Sequence, residues 1–255
     1  MNDADRQLAR RRSPRLSIAI AIFTVTMLAL AWVLLQRESE PRFLHAGRGE
    51  FADLFTPPPG PKSASARREV EELLEIQRHR SDRDVAAARA DRKTEVWQFA
   101  GALGLPPQQM RALRALADLT EQVEDDVRPY VREAKHRFTR LRPYEVDARL
   151  EPCIGDVRGD LSYPSGHATY GYVVAYLLSD MVPERRPQLM ARAQEFARQR
   201  MVCGVHFPSD IEAGRRGGEW LAQKFLQDAG YRAAAAGATR ELRAALGLIA
   251  APPAD

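Results

Sequence analysis

The sequence predicts an all-α protein: a compact helical bundle preceded by one N-terminal transmembrane helix. Three observations carry this. Apolar residues recur at helical spacing through most of the chain, alternating β-branched strand patterns are nearly absent, and one long apolar run near the start carries no charge. At 255 residues, with 45% hydrophobic and 28% charged residues, the chain has the composition of a globular domain with extensions.

The charge-free run is Leu16–Leu35, LSIAIAIFTVTMLALAWVLL. At about 1.5 Å per residue it matches a hydrocarbon layer of about 30 Å. Arg6, Arg10, Arg11, Arg12 and Arg15 precede it, so residues 1–15 read as a cytoplasmic basic tail and everything after Gln36 lies beyond the membrane. The competing reading is a cleaved signal, which would leave the rest secreted or free in the periplasm. The bulky Trp32–Arg37 stretch lacks a small-x-small cleavage pattern and favours an anchor.

Residues 36–66, broken by Pro41, Pro57, Pro58, Pro59 and Pro61, read as a linker. A helical domain over 67–249 follows, and 250–255 form a tail. Val70, Leu73, Leu74 and Gln77 mark one helix. Val96, Phe99, Ala100 and Leu103 mark another, closed by Gly104. Met110 to Leu141 predicts one long helix or two, with Pro129 favouring a break or kink. Helices over Ala168–Met181, Pro187–Cys203 and Ser209–Gln227 and an alanine-rich one near Glu241 complete the domain.

The net charge of +4 is spread among acidic residues, so no basic block suits nucleic acid. Two cysteines, Cys153 and Cys203, are too few for a zinc site but form one possible bridge in an oxidising compartment. A buried unpaired Cys203 is the alternative.

Three segments hold the candidate chemistry. In Lys135–Pro143, Lys135 and Arg142 are spaced to share a helix face, and Pro143 is placed to end that helix. In Tyr163–His167, Ser165 can cap a helix, Gly166 permits close approach of a ligand, and His167 lies in the first turn, where free N–H groups attract anions. In Arg200–Asp210, Gly204 stops one helix, Pro208–Ser209 starts the next, and Asp210 can orient His206 through Nδ1–H. Each alone has an ordinary structural reading: a solvated basic face, a capped turn and a surface ion pair. Gly214-Arg215-Arg216-Gly217-Gly218 matches no phosphate loop and reads as helix packing or a kink, and Trp97 and Trp220 read as core.

Together the three segments resemble the type 2 phosphatidic acid phosphatase superfamily, which also contains the vanadium haloperoxidases. The match consists of Lys135 with Arg142-Pro143, then Pro164-Ser165-Gly166-His167, then Arg200, His206 and Asp210. Ser162–His167, Cys203-Gly204 and Ser209-Asp210 look most like the bacterial class A nonspecific acid phosphatases. One departure is Gln199, where the family usually has Ser. The resemblance implies a metal-independent, cofactor-free acid phosphatase acting on small phosphorylated substrates. His206 would be the nucleophile, Asp210 its orienting partner and His167 the general acid. Lys135, Arg142, Ser165, Gly166 and Arg200 would bind phosphate. Its rivals are a lipid phosphate or pyrophosphate phosphatase, a haloperoxidase, and a non-catalytic anchored protein that binds phosphorylated ligands.

Overall fold

The structure, a computed structural model, describes Phe23, Thr24, Met27, residues 41–154 and residues 160–249. The predicted anchor over 16–35 and the tail over 250–255 therefore lie outside the described residues, the three N-terminal positions apart. Those three are helical, with Phe23 and Met27 exposed. Among the described residues, no helix is long and apolar enough to cross a membrane.

Pro41–Asp255 form one compact unit, and every regular element described in it is helical. In chain order these are α1 (Arg48–Asp53), α2 (Ala64–His79), α3 (Asp82–Ala90), α4 (Ala100–Leu103), α5 (Pro107–Arg111) and α6 (Arg114–Phe138). They continue with α7 (Pro143–Val146), α8 (Gly166–Met181), α9 (Arg186–Val202), α10 (Pro208–Gln227) and α11 (Ala229–Ala245). Short 3-10 turns at Val96–Phe99 and Pro183–Arg185 precede α4 and α9.

Helix α8 is the centre of the bundle. Its run from Ala168 to Val174 is buried on every side, because small and apolar residues surround the whole helix rather than one stripe. It packs most extensively on α10 and α9. Glycine makes the α10 contact possible. A Cβ on Gly218 would sit 2.6 Å from the Thr169 carbonyl, and one on Gly214 would sit 2.6 Å from Ala168 Cβ and 2.8 Å from the Ser165 carbonyl. The Gly-Arg-Arg-Gly-Gly segment is thus the packing face the sequence reading anticipated.

Three expectations need correction. First, residues 41–55 are core, not linker. Phe43, Leu44, Phe51 and Phe55 are buried, and the Asp126 carboxylate accepts hydrogen bonds from the backbone N–H groups of Arg42, Phe43 and Leu44 at 2.7, 2.7 and 3.1 Å. A sequence rich in proline and polar residues looked solvated, but its aromatic residues at 43, 51 and 55 are what the bundle buries. Second, α6 runs unbroken through Pro129 for 25 residues, since Val127, Pro129, Tyr130, Val131 and Ala134 are all packed in the core. Tertiary burial there outweighs the lost backbone hydrogen bond. Third, α6 ends at Phe138, not at Pro143. Thr139 takes a left-handed conformation (φ 50°), and Arg142 is extended, as a residue before proline prefers. Lys135 and Arg142 therefore do not share a helix face.

Cys153 and Cys203 are disulfide-bonded, with Cα atoms 4.7 Å apart. The Cys153 N–H also donates to the Cys203 carbonyl at 3.1 Å.

Candidate active site

Two helix N-termini are joined back to back. Ser165 caps α8, accepting from the Ala168 N–H at 3.3 Å, while its own N–H donates to the Asp210 carbonyl in the first turn of α10 at 3.0 Å. Pro208 opens α10 and Gly204 (φ 67°) turns the chain after α9, which leaves His206 in the short connection between them. This bond brings the second and third motifs together.

His206 and Asp210 are buried, and His206 Nδ1–H donates to Asp210 Oδ2 at 3.2 Å. Asp210 is held from several directions. Its carboxylate accepts from the Phe207 N–H at 2.8 Å, from the Ser162 hydroxyl, and from Arg140 Nη1 at 2.7 Å. Burial raises the Asp210 pKa, opposed by the charge of Arg140. Arg140 also donates to Ser209 Oγ at 2.7 Å and to Glu69 Oε2 at 2.6 Å, and its guanidinium lies 3.9 Å over the Phe207 ring. Glu69 Oε1 in turn accepts from the Ser209 N–H at 2.8 Å. The chain Glu69–Arg140–Asp210–His206 thus ties α2 to the imidazole.

With Nδ1 protonated by this contact, His206 Nε2 carries the free lone pair, which accepts from Arg142 Nη1 at 2.6 Å. Burial, then the charges of Arg142, Lys135, His167 and Arg200, push the His206 pKa well below its usual value. The imidazole is neutral at physiological pH.

The cations gather around it. Arg142 is buried and also donates to the Val205 carbonyl at 2.8 Å and to the Asp160 carbonyl at 3.0 Å. Arg200 is 1% exposed, and only Nη2 is committed, to the Ala88 carbonyl at 2.7 Å. Its Nε and Nη1 are buried with no hydrogen-bond partner among the described residues. Lys135, pushed down to about 8 by burial and by the Arg142 charge, meets the Asp160 carboxylate.

His167 lies at the first turn of α8, stacked on Phe196 with ring centroids 5.8 Å apart. Its Nε2–H donates to the Arg92 carbonyl at 2.6 Å. Burial first, then the charge of Arg200, lower its pKa to about 3. Gly166 differs from Gly214 and Gly218, because a Cβ there would meet only Val131 at an ordinary 3.5 Å. Packing does not demand glycine at Gly166. Gln199 is buried, with its amide nitrogen directed to Glu195.

A cleft of about 540 Å³ opens beside Lys135, Asp160, Gly166 and His167, walled by Val127, Val131, Leu161 and Tyr170. A larger groove of about 1060 Å³ runs between Pro57–Pro61 and Arg137–Leu141, and of the residues above it touches only Arg140 and Phe207. Among the described residues, no group of three His, Cys, Asp or Glu side chains is placed to share a metal ion.

Sequence reasoning missed Asp160, Arg140 and Glu69. Two of them left a trace. Arg140 stands two residues before Arg142, and Glu69 sits among Ala66, Val70 and Leu73 on the buried face of α2, where an unpaired acid would be costly. Nothing in the sequence marked Asp160.

The helical domain brings two histidines, an aspartate and three cations close to two joined helix N-termini, an arrangement whose positive charge and free N–H groups suit an anion. Residues 123–228 match the PAP2 superfamily model. It is similar to the non-specific acid phosphatase of Providencia stuartii, 32% identical over 121 residues that cover 46% of this chain and 48% of the relative. It is also similar to the non-specific acid phosphatase of Salmonella typhimurium, 47% identical over 86 residues, 32% of this chain and 34% of that one. The chain thus aligns with half or less of these relatives' length. Among solved structures, a bacterial vanadium-dependent iodoperoxidase shares the fold, with a TM-score of 0.55 at 19% identity, covering 71% of this chain and 54% of that one.

Proposed function

We propose that this protein hydrolyses phosphomonoesters in two steps through a phosphohistidine, without a metal ion. The observation that carries the reading is Arg200, whose buried Nε and Nη1 lack partners among the described residues beside a neutral, aspartate-oriented histidine. Burying bare N–H groups of a charged guanidinium costs free energy unless an anion completes them. Phosphate oxygens supply that complement, and Lys135, Arg142, Ser165, the Gly166 amide and the α8 N-terminus add further donors.

In the first step the His206 Nε2 lone pair attacks phosphorus, the P–O bond to the leaving group breaks, and the departing oxygen takes a proton from His167. Arg142 must leave Nε2 for the incoming phosphate. In the second step water gives a proton to the now neutral His167 and attacks the phosphohistidine, the N–P bond breaks with its electron pair returning to His206 Nε2, and inorganic phosphate departs. Phosphoryl transfer needs mainly positioning and charge stabilisation, which this set of cations suits. The free imidazole of His167 is neutral above about pH 3, so its proton arrives with the substrate. A monoanionic phosphomonoester can hand it over on binding, and the dianion that results stabilises the imidazolium.

The test is turnover of a phosphomonoester panel by the full chain in EDTA and with vanadate, together with acid-labile phosphate trapping. We expect activity in chelator, inhibition by vanadate, and no trapped phosphate in His206→Ala. Activity lost in EDTA and restored by a divalent metal, or covalent phosphate retained by His206→Ala, overturns the mechanism.

We also propose that the apolar run over 16–35 holds the protein at a membrane, with the domain on the non-cytoplasmic side. The basic flank, the charge-free length and the Cys153–Cys203 bridge support this. Release of the whole chain from membranes by carbonate washing argues against it.

A further inference from the structure

The donors of Lys135 and Arg142 are already engaged. Lys135 Nζ meets Asp160 Oδ1 at 2.8 Å, Oδ2 at 3.0 Å, and the Leu161 carbonyl. Arg142 donates through Nε to the Asp160 carbonyl, through Nη1 to Val205 and His206, and through Nη2 to the Asp160 carboxylate. The Asp160 carboxylate therefore bridges the same two cations that the reading above gives to phosphate. A carboxylate and a phosphate present the same kind of acceptor oxygens, and one guanidinium edge cannot hold both at full strength.

The partners differ in how readily they can leave. Val205, Leu161 and the Asp160 carbonyl are backbone, and His206 is buried. The Asp160 side chain is 53% exposed, while Lys135 and Arg142 are 12% and 5% exposed. Among the described groups on these cations, only the Asp160 carboxylate reaches open solvent and can swing away without moving the main chain. Burial works to raise its pKa, but the charges of Lys135 and Arg142 outweigh that and hold it ionised.

We infer that Asp160 is an internal counter-anion of the phosphate site: its carboxylate occupies Lys135 and Arg142 in the resting protein, yields them to substrate phosphate, and returns to displace product phosphate. This rests on the phosphatase reading and goes beyond it by naming what competes with the ligand. Its cost is weaker affinity for any phosphate, and its benefit is that the strongly cationic site does not retain inorganic phosphate after hydrolysis.

The experiment is calorimetric titration of inorganic phosphate into the full chain, comparing the natural protein with Asp160→Asn, with Asp160→Glu as a charge-retaining control. Removing a competitor that makes charged hydrogen bonds should tighten phosphate binding by about 10- to 100-fold. Product inhibition should deepen in proportion. Asp160→Glu should stay near the natural affinity. Unchanged or weaker binding in Asp160→Asn, in a variant whose thermal unfolding matches the parent, overturns the inference and makes Asp160 an organiser of the two cations instead. If neither protein binds phosphate or vanadate, the phosphate-site reading itself fails and the inference falls with it. If phosphate binds both equally, only the inference falls.

Discussion

Arg140 offers the sharpest test of how the candidate site is held. Its guanidinium stands between two carboxylates with little access to water: the side chains of Arg140, Glu69 and Asp210 are 9%, 12% and 0% exposed. Replacing it by methionine roughly keeps the volume and removes the charge. Glu69 and Asp210 then face each other without a cation, and Ser209 Oγ loses its donor. Breaking a buried ion pair by removing one partner typically costs about 3–5 kcal/mol, and no discount for solvent screening applies at this burial. The sign of the pH dependence follows from Asp210, whose pKa is already raised by burial and rises further without Arg140. A carboxyl whose folded pKa lies above its unfolded value destabilises the fold as pH rises through that range, so the deficit of the variant should be largest near neutrality and shrink toward about pH 4. The assay is urea unfolding of Arg140→Met and Arg140→Lys at pH 7 and pH 4.5, alongside kcat. We expect the full loss and a fall in kcat of about 10²-fold, as misplacement of His206 by a fraction of an ångström would give. Lysine should recover part of both. A loss below about 1 kcal/mol that does not depend on pH would show that this network is peripheral.

Activity should be greatest in mildly acidic solution. Both histidines titrate below the usual histidine range, so loss of activity through protonation of His206 belongs well below pH 6.5, while the alkaline limb follows the second ionisation of the substrate phosphate near about pH 6. An alkaline limb identical for substrates of different second pKa would contradict this, as would an optimum above about pH 8.5. Gly214→Ala should reduce activity more than stability, because its Cβ pushes on Ser165 and Ala168 at the α8 N-terminus; Gly218→Ala should cost about 1–3 kcal/mol by overpacking against Thr169 and Tyr172, with a smaller effect on kcat/KM. Equal behaviour of the two would refute the distinction. Reducing Cys153–Cys203, which closes a loop of sequence separation 50, should lower unfolding free energy by about 4 kcal/mol, read as a fall in Tm under reductant, and a Cys153→Ser, Cys203→Ser double variant should lose the response to reductant.

The helices were legible because their apolar spacing is strong and their ends carry local signals: Ser165 at one cap, Gly104 and Gly204 at two stops, Pro208 at a start. The motif residues stood out because the three segments together resemble one known superfamily, whereas each alone has an ordinary structural reading. What escaped was set by partners distant in sequence. Arg42 to Leu44 are captured by Asp126, more than eighty residues away, and no local pattern announces it. Pro129 continues a helix because of what packs around it, not because of its neighbours in the chain. Glu69 and Arg140 matter only because α2 brings them to Asp210.

The Arg200 N–H groups that lack partners among the described residues also bear on how long the molecule lasts. Burying a guanidinium that is incompletely satisfied among the described residues costs stability, and any anion that completes it shifts the folding equilibrium by mass action. At a ligand concentration one hundred times its dissociation constant the shift is about 2.7 kcal/mol. Substrate and product would then act as stabilisers as well as reactants, and the resistance of the protein to heat and proteolysis would track the phosphate supply of its surroundings.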